Sequence, residues 1–87
     1  MRKKDDMAGV DHPYTPKIGD RVEILEKNCA GSVAYIGRLK VGGKIMVGVV
    51  LDQPVGLNNG SYRGRPVFSC KNNHGLFVGK GIRKDTD

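Results

Sequence analysis

No ten-residue stretch of this chain shows helical spacing of apolar residues without a glycine or proline inside it. Glycine inside a helix costs about 1 kcal/mol relative to alanine and proline about 3, and 87 residues here hold 13 glycines and four prolines. Extended runs broken by turns remain, and these predict an all-β fold, a small antiparallel, strongly curled barrel with long loops and little or no helix.

The runs can be placed individually. Ile18-Gly19-Asp20 reads as a turn into Arg21–Leu25, where Val22 and Ile24 alternate with Arg21 and Glu23 as in a half-buried strand. Lys27–Gly31 reads as a connection and Ser32–Gly37 as a second strand paired with the first. Arg38–Gly43 is a basic loop. The valine-rich run Ile45–Leu51 that follows has the near-continuous apolar character of a central strand, with Gly48 marking a bulge or bend. Pro66–Cys70 and Leu76–Val78 read as two short strands joined by the polar turn Lys71–Gly75. Between these runs lies Gly56-Leu57-Asn58-Asn59-Gly60, two glycines enclosing two asparagines. Such a loop turns sharply and still offers side-chain amides outward.

One domain is all that this length supports. Residues 1–16, with mixed charges, Gly9, Pro13 and Pro16 and no apolar period, read as a flexible tail; 17–84 read as the domain and 85–87 as a C-terminal tail. No stretch is long and apolar enough to cross a bilayer as a helix. The charged start Met1–Asp6 has no apolar run behind it, which predicts a cytosolic or nuclear location.

The net charge of +6 is unevenly spread. Residues 1–37 balance six bases against six acids, whereas Arg38–Lys84 holds nine bases and one acid, Asp52. The surplus flanks the glycine loop and calls for an anionic partner: nucleic acid, a membrane surface or an acidic peptide. Catalytic and cofactor chemistry find little support. Cys29, Cys70 and His74 fall short of the four ligands of a structural zinc site, and the cysteines read as small buried apolar residues. Gly42-Gly43-Lys44 lacks the upstream glycine and the following Ser or Thr of a phosphate loop. Nothing orients His74 to activate Cys70. A binding module with no metal and no cofactor is expected, not an enzyme.

Five segments occur in an order and spacing that resembles the CAP-Gly domain: Gly31–Gly37, Gly48–Asp52, Gly56–Gly60, Phe68–Cys70 and His74–Val78. The resemblance covers roughly residues 17–83. It implies a module that binds acidic C-terminal tails ending in Glu-Glu-Tyr or Glu-Glu-Phe, as carried by α-tubulin and end-binding proteins, with no membrane contact and a cytoplasmic, cytoskeletal setting. It also implies a longer parent protein, commonly one with coiled coils. Asn58 matches the family's key asparagine, and a side-chain amide with backbone N–H groups on a tight turn can meet a terminal carboxylate. For the acidic side chains before it, Lys44, Arg63, Arg65 and Lys71 are available, Arg65 where some family members place an arginine contact. The loop Gly56–Gly60, with Val41, Met46 and Phe68, completes the implied groove.

The departures are specific. The family loop is Gly-Lys-Asn-Asp-Gly, so Leu57 and Asn59 remove both of its charges. Met46 stands at the family's tryptophan, Val41 at a groove phenylalanine and Val67 at a tyrosine. Fewer aromatic walls mean lost ring contacts worth about 0.5–1.5 kcal/mol per pair, and weaker or altered specificity is expected. Two alternatives remain: a groove retuned to proline-rich or internal peptides, and a basic nucleic-acid-binding barrel using Tyr62, Phe68 and Phe77.

Overall fold

The computed structural model describes residues 14–85, and every regular element among them is a strand. These are β1 (Arg21–Ile24), β2 (Cys29–Arg38), β3 (Ile45–Leu51), β4 (Ser61–Tyr62), β5 (Arg65–Pro66), β6 (Gly75–Val78) and β7 (Ile82–Lys84). Five form one antiparallel sheet in the order β6-β3-β2-β1-β7, and β4 pairs with β5. The all-β class and the antiparallel arrangement expected from the sequence are present.

Period-2 alternation builds the core. Val22 and Ile24 of β1, Val33 of β2, Val47, Val49 and Leu51 of β3 and Leu76 of β6 are buried together, while Arg21 stays exposed. Each such side chain contributes about 1.5–3 kcal/mol on full burial. In β3, Gly48 lies between two core valines and pairs with Tyr35 on one side and Phe77 on the other, beside a register shift between Val33 and Tyr35. The irregularity foreseen at Gly48 is therefore in the ladder, with the extra residue on β2. A Cβ on Gly48 would stand 2.5 Å from Phe68 Cε1 and 3.0 Å from Tyr35 Cβ, so a bare backbone is what lets those rings lie against β3.

Four sequence expectations are revised. Cys29 already belongs to β2, so the first connection is the tighter Leu25–Asn28, closed by Asn28 N–H on the Ile24 carbonyl at 2.8 Å, with Asn28 in the left-handed region (φ 54°). Pro66–Cys70 is not a strand paired with Leu76–Val78. Only Pro66 joins a two-residue strand, and the N–H groups of Val67 and Phe68 both donate to the Gly60 carbonyl, at 3.0 Å each, wrapping the segment around the glycine loop. Ile82–Lys84, unassigned from the sequence, pairs with β1 at the far sheet edge from β6. Tyr14, assigned to the tail, packs against the core and donates its hydroxyl to Asp20. Burial and that carboxylate push its phenol up to about 12. The remainder of the N-terminal tail, residues 1–13, and residues 86–87 lie outside the described residues.

Arg21 ties the start of β1 to the end of β3 through a forked pair of bonds to Asp52 and a third to Ser32 Oγ at 3.1 Å. The Arg21 hydrogen bonds hold the Asp52 carboxyl below its ordinary range. A folded value below the unfolded one means that this stabilisation is present above the ordinary carboxyl range and is lost as pH falls through the folded value. Both side chains are about half exposed, which limits the pair to about 0.5 kcal/mol. Asp52→Asn is thus expected to lower unfolding free energy by about that amount at pH 7 and by nothing near pH 2, as read by urea denaturation at the two pH values.

Candidate functional site

The connection from β3 to β6, residues 52–74, carries both the glycine loop and the β4–β5 hairpin, and it is held at several points. Gly56 N–H donates to the Asn73 carbonyl at 2.7 Å, Leu57 N–H to the Gly75 carbonyl at 2.9 Å, and Gly75 N–H to the Asn58 carbonyl at 2.8 Å. The last contact is a bridge that adds Asn58 to the exposed side of β6. Gly60 is buried in the left-handed region (φ 102°), and a Cβ there would strike the Phe68 carbonyl. Only glycine fits that corner without strain.

This anchoring fixes the Asn58 amide. Its Oδ1 accepts Gly60 N–H at 2.9 Å, an Asx turn that assigns oxygen and nitrogen and leaves the Nδ2 hydrogens as donors for a ligand. Asn59 differs: its Oδ1 accepts from Ser61 N–H and from Ser61 Oγ, a bond set spent within the loop. Both amides thus keep Nδ2 free, and place separates them: Asn58 lines the groove beside the loop, Asn59 a separate cleft.

Beside Asn58 opens a groove of about 630 Å³, lined by Leu39, Lys40, Gly42, Gly43 and Lys44 from the β2–β3 loop, by Leu57 and Asn58, and by Met46, Tyr62 and Phe77. No carboxylate is among these residues. Phe77, opposite Gly48 on β6, is packed edge-on by Tyr35, Tyr62 and Phe68 at centroid distances of 6.4, 5.9 and 5.4 Å. Edge contacts of this kind contribute about 0.5–1.5 kcal/mol each and hold the ring in place. The β2–β3 loop is braced by Arg38 Nε donating to the Gly43 carbonyl at 2.8 Å and by Tyr35 OH donating to the Arg38 carbonyl at 3.0 Å. A second groove of about 510 Å³ adjoins the first and shares Leu39 and Tyr62 with it; Tyr35, Arg38, Gly64, Arg65, Pro66 and Val67 complete it.

The structure brings Lys44, Met46, Leu57 and Asn58 together in the first groove. Arg65 lies in the second. Arg63 has its guanidinium 5.6 Å from the centre of the Tyr62 ring. Gly56 and Gly60 shape the loop rather than line the groove. Val41 is fully exposed and lines neither groove, although its neighbours on both sides line the first. Phe68 and Asn59 border a separate shallow cleft of about 300 Å³, and Lys71 is exposed and lines none of the three. Tyr62 and Phe77 were foreseen only for the nucleic-acid alternative and not among the peptide-groove residues. They supply aromatic rings that the aliphatic Val41 and Val67 do not. Alternation along β6 hinted at this, because Leu76 takes the core side and leaves Phe77 on the other.

His74 donates its Nδ1–H to the Leu51 carbonyl, 2.7 Å away, and shapes the turn into β6. Cys29 and Cys70 are half-buried free thiols rather than fully buried, and burial pushes both thiols up. Among the described residues no three His, Cys, Asp or Glu side chains cluster as metal ligands.

The glycine loop bridged to β6 and the groove beside it coincide with a family model: residues 18–81 match that of the CAP-Gly domain. The chain belongs to the CAP-Gly family. Over 62 residues it is 45% identical to dynactin subunit 1 of Gallus gallus, a match that takes in 71% of this chain and 5% of that protein. The chain thus spans a small part of the relative's length. Among solved structures, the CAP-Gly domain of human kinesin-like protein KIF13B superposes with a TM-score of 0.75 at 33% identity, covering 86% of this chain and 75% of that one. The Bik1 CAP-Gly domain with an ETF peptide from Bim1 superposes with a TM-score of 0.62 at 29% identity, covering 70% and 74%.

Proposed function

We propose that this CAP-Gly domain is a cytoskeletal binding module that captures the C-terminus of an acidic peptide ending in an aromatic residue, such as the Glu-Glu-Tyr end of α-tubulin or the tails of end-binding proteins. The observation that carries this reading is the first groove itself, where the free Asn58 amide, two lysines and the Tyr62 and Phe77 rings converge with no carboxylate. The terminal carboxylate accepts from Asn58 Nδ2, the last side chain packs on the rings, and Lys40 and Lys44 face the acidic side chains before it. The Bik1 domain solved with an ETF peptide gives the reading a family parallel, and dynactin subunit 1 and a tubulin-specific chaperone B among its relatives support a microtubule setting. Titration with a peptide ending in Glu-Glu-Tyr and with its version lacking the tyrosine tests the proposal. Tighter binding of the complete peptide is expected, and equal binding of both would sink it.

Leu57, exposed on the rim, leaves that side of the groove without a cation. Leu57→Lys is expected to raise affinity for a Glu-Glu-Tyr peptide about threefold, the scale of one exposed ion pair. The gain should shrink as salt rises from 50 to 300 mM.

A further inference from the structure

Asn59 alone among the asparagines of this chain is followed by glycine. That pairing favours succinimide closure, because glycine leaves the main-chain nitrogen after the asparagine unscreened and its backbone free to turn. In the reaction a solvent base removes the Gly60 amide proton, the nitrogen bonds to Asn59 Cγ, and the Cγ–Nδ2 bond breaks with ammonia leaving. Water then opens the ring at either carbonyl and leaves aspartate or isoaspartate at position 59. The electrophile is accessible: Asn59 is exposed, and its Oδ1 accepts from Ser61 N–H at 3.3 Å and from the Ser61 hydroxyl, which draws electron density from Cγ. The nucleophile is what the fold withholds. Gly60 is buried, its N–H donates to Asn58 Oδ1 at 2.9 Å, and a Cβ on Gly75 would stand 2.9 Å from the same nitrogen, so main chain lies directly against it. A solvent base reaches that proton only when the loop opens.

We infer that Asn59 is a deamidation site that the folded glycine loop holds closed, with Asn58 Oδ1 guarding the Gly60 proton, so that opening of the loop is converted into an irreversible covalent change. This role of Asn58 uses its oxygen, whereas ligand capture uses its nitrogen, and it does not depend on what the groove binds. The two products differ in consequence. Aspartate keeps an oxygen for Ser61 N–H and leaves the main chain unaltered. Isoaspartate adds one carbon to the main chain just before Gly60, whose carbonyl accepts from both Val67 and Phe68 N–H, and the tight corner that those bonds close no longer fits.

Incubation of the full chain at pH 8 tests the inference, with deamidation followed by mass and placed by peptide mapping, and with hydrogen exchange read at the Gly60 amide in parallel. The folded chain is expected to deamidate at Asn59 at least about tenfold more slowly than the same chain unfolded in urea, since only the open fraction reacts. Asn58→Ala should raise deamidation and Gly60 exchange together by about fivefold, the scale of one lost hydrogen bond, whereas Asn58→Asp keeps the acceptor and should leave both within about twofold. In the unmodified chain, urea below the unfolding transition should speed both processes by the same factor, a comparison that stands even where Asn58→Ala fails to fold. A folded chain that deamidates as fast as the unfolded one overturns the inference. So does deamidation that stays constant while Gly60 exchange rises, or an Asn58→Asp chain that reacts as fast as Asn58→Ala.

Discussion

Replacing Gly60 by alanine is expected to lower the unfolding free energy by about 3 kcal/mol, from two additive causes. A non-glycine residue in the left-handed region costs about 1–2 kcal/mol, and Gly60 sits there at φ 102°. The new Cβ would also meet the Phe68 carbonyl, a backbone atom that cannot swing aside, and forced displacement in a packed site costs about 1–3 kcal/mol. A domain of this length has about 5–10 kcal/mol in total, so the loss removes about a third to a little over half of it. Gly64→Ala separates the two causes, since Gly64 also has positive φ (81°) but no neighbour within 4 Å of a Cβ. That variant should lose only about 1–2 kcal/mol. Urea denaturation of both reads the difference, and equal losses would remove the close approach as a cause.

The largest expected change in binding comes from Asn58→Asp. The Oδ1 that accepts Gly60 N–H at 2.9 Å is retained, so the loop keeps its turn and stability should move by less than about 1 kcal/mol. The Nδ2 donors vanish and a carboxylate takes their place. A lost charge-assisted hydrogen bond plus a like charge at the site weakens binding of a Glu-Glu-Tyr peptide about 100-fold. Asn58→Ala is the less discriminating change, because it removes the turn acceptor together with the ligand donor. Calorimetric titration alongside thermal unfolding separates site from scaffold: a domain that stays folded with affinity unchanged would show that the amide is not the carboxylate donor.

What the sequence revealed depended on whether a local pattern carried the information. The alternation of Val22 and Ile24 located β1, because one buried face makes period 2 obligatory, and the near-continuous apolar run Ile45–Leu51 located β3 as a central strand. Ile82–Lys84 was missed because a three-residue edge strand with one apolar side chain has no period to detect. Pro66–Cys70 misled because a short apolar run does not say what its backbone pairs with, and here the partners are in the glycine loop: Val67 and Phe68 donate to the Gly60 carbonyl and Cys70 to that of Asn59. At the site, the motif marked Asn58 and its loop, whereas the rings beside it arrive from elsewhere in the chain. Tyr62 and Phe77 come from separate strands joined only through long-range packing, at 5.9 Å between centroids. Arg65 and Lys44 looked equivalent in a basic sequence, yet the fold assigns them to different grooves.

The central claim is that the Asn58 end of the first groove holds a terminal carboxylate. One titration addresses it most directly: the same Glu-Glu-Tyr peptide offered with a free C-terminus and with a C-terminal amide. Amidation removes one charge and one acceptor oxygen while keeping the tyrosine and both glutamates, so binding should weaken at least tenfold in the unmodified domain and hardly at all in Asn58→Asp. Equal affinity of the unmodified domain for acid and amide would contradict the claim.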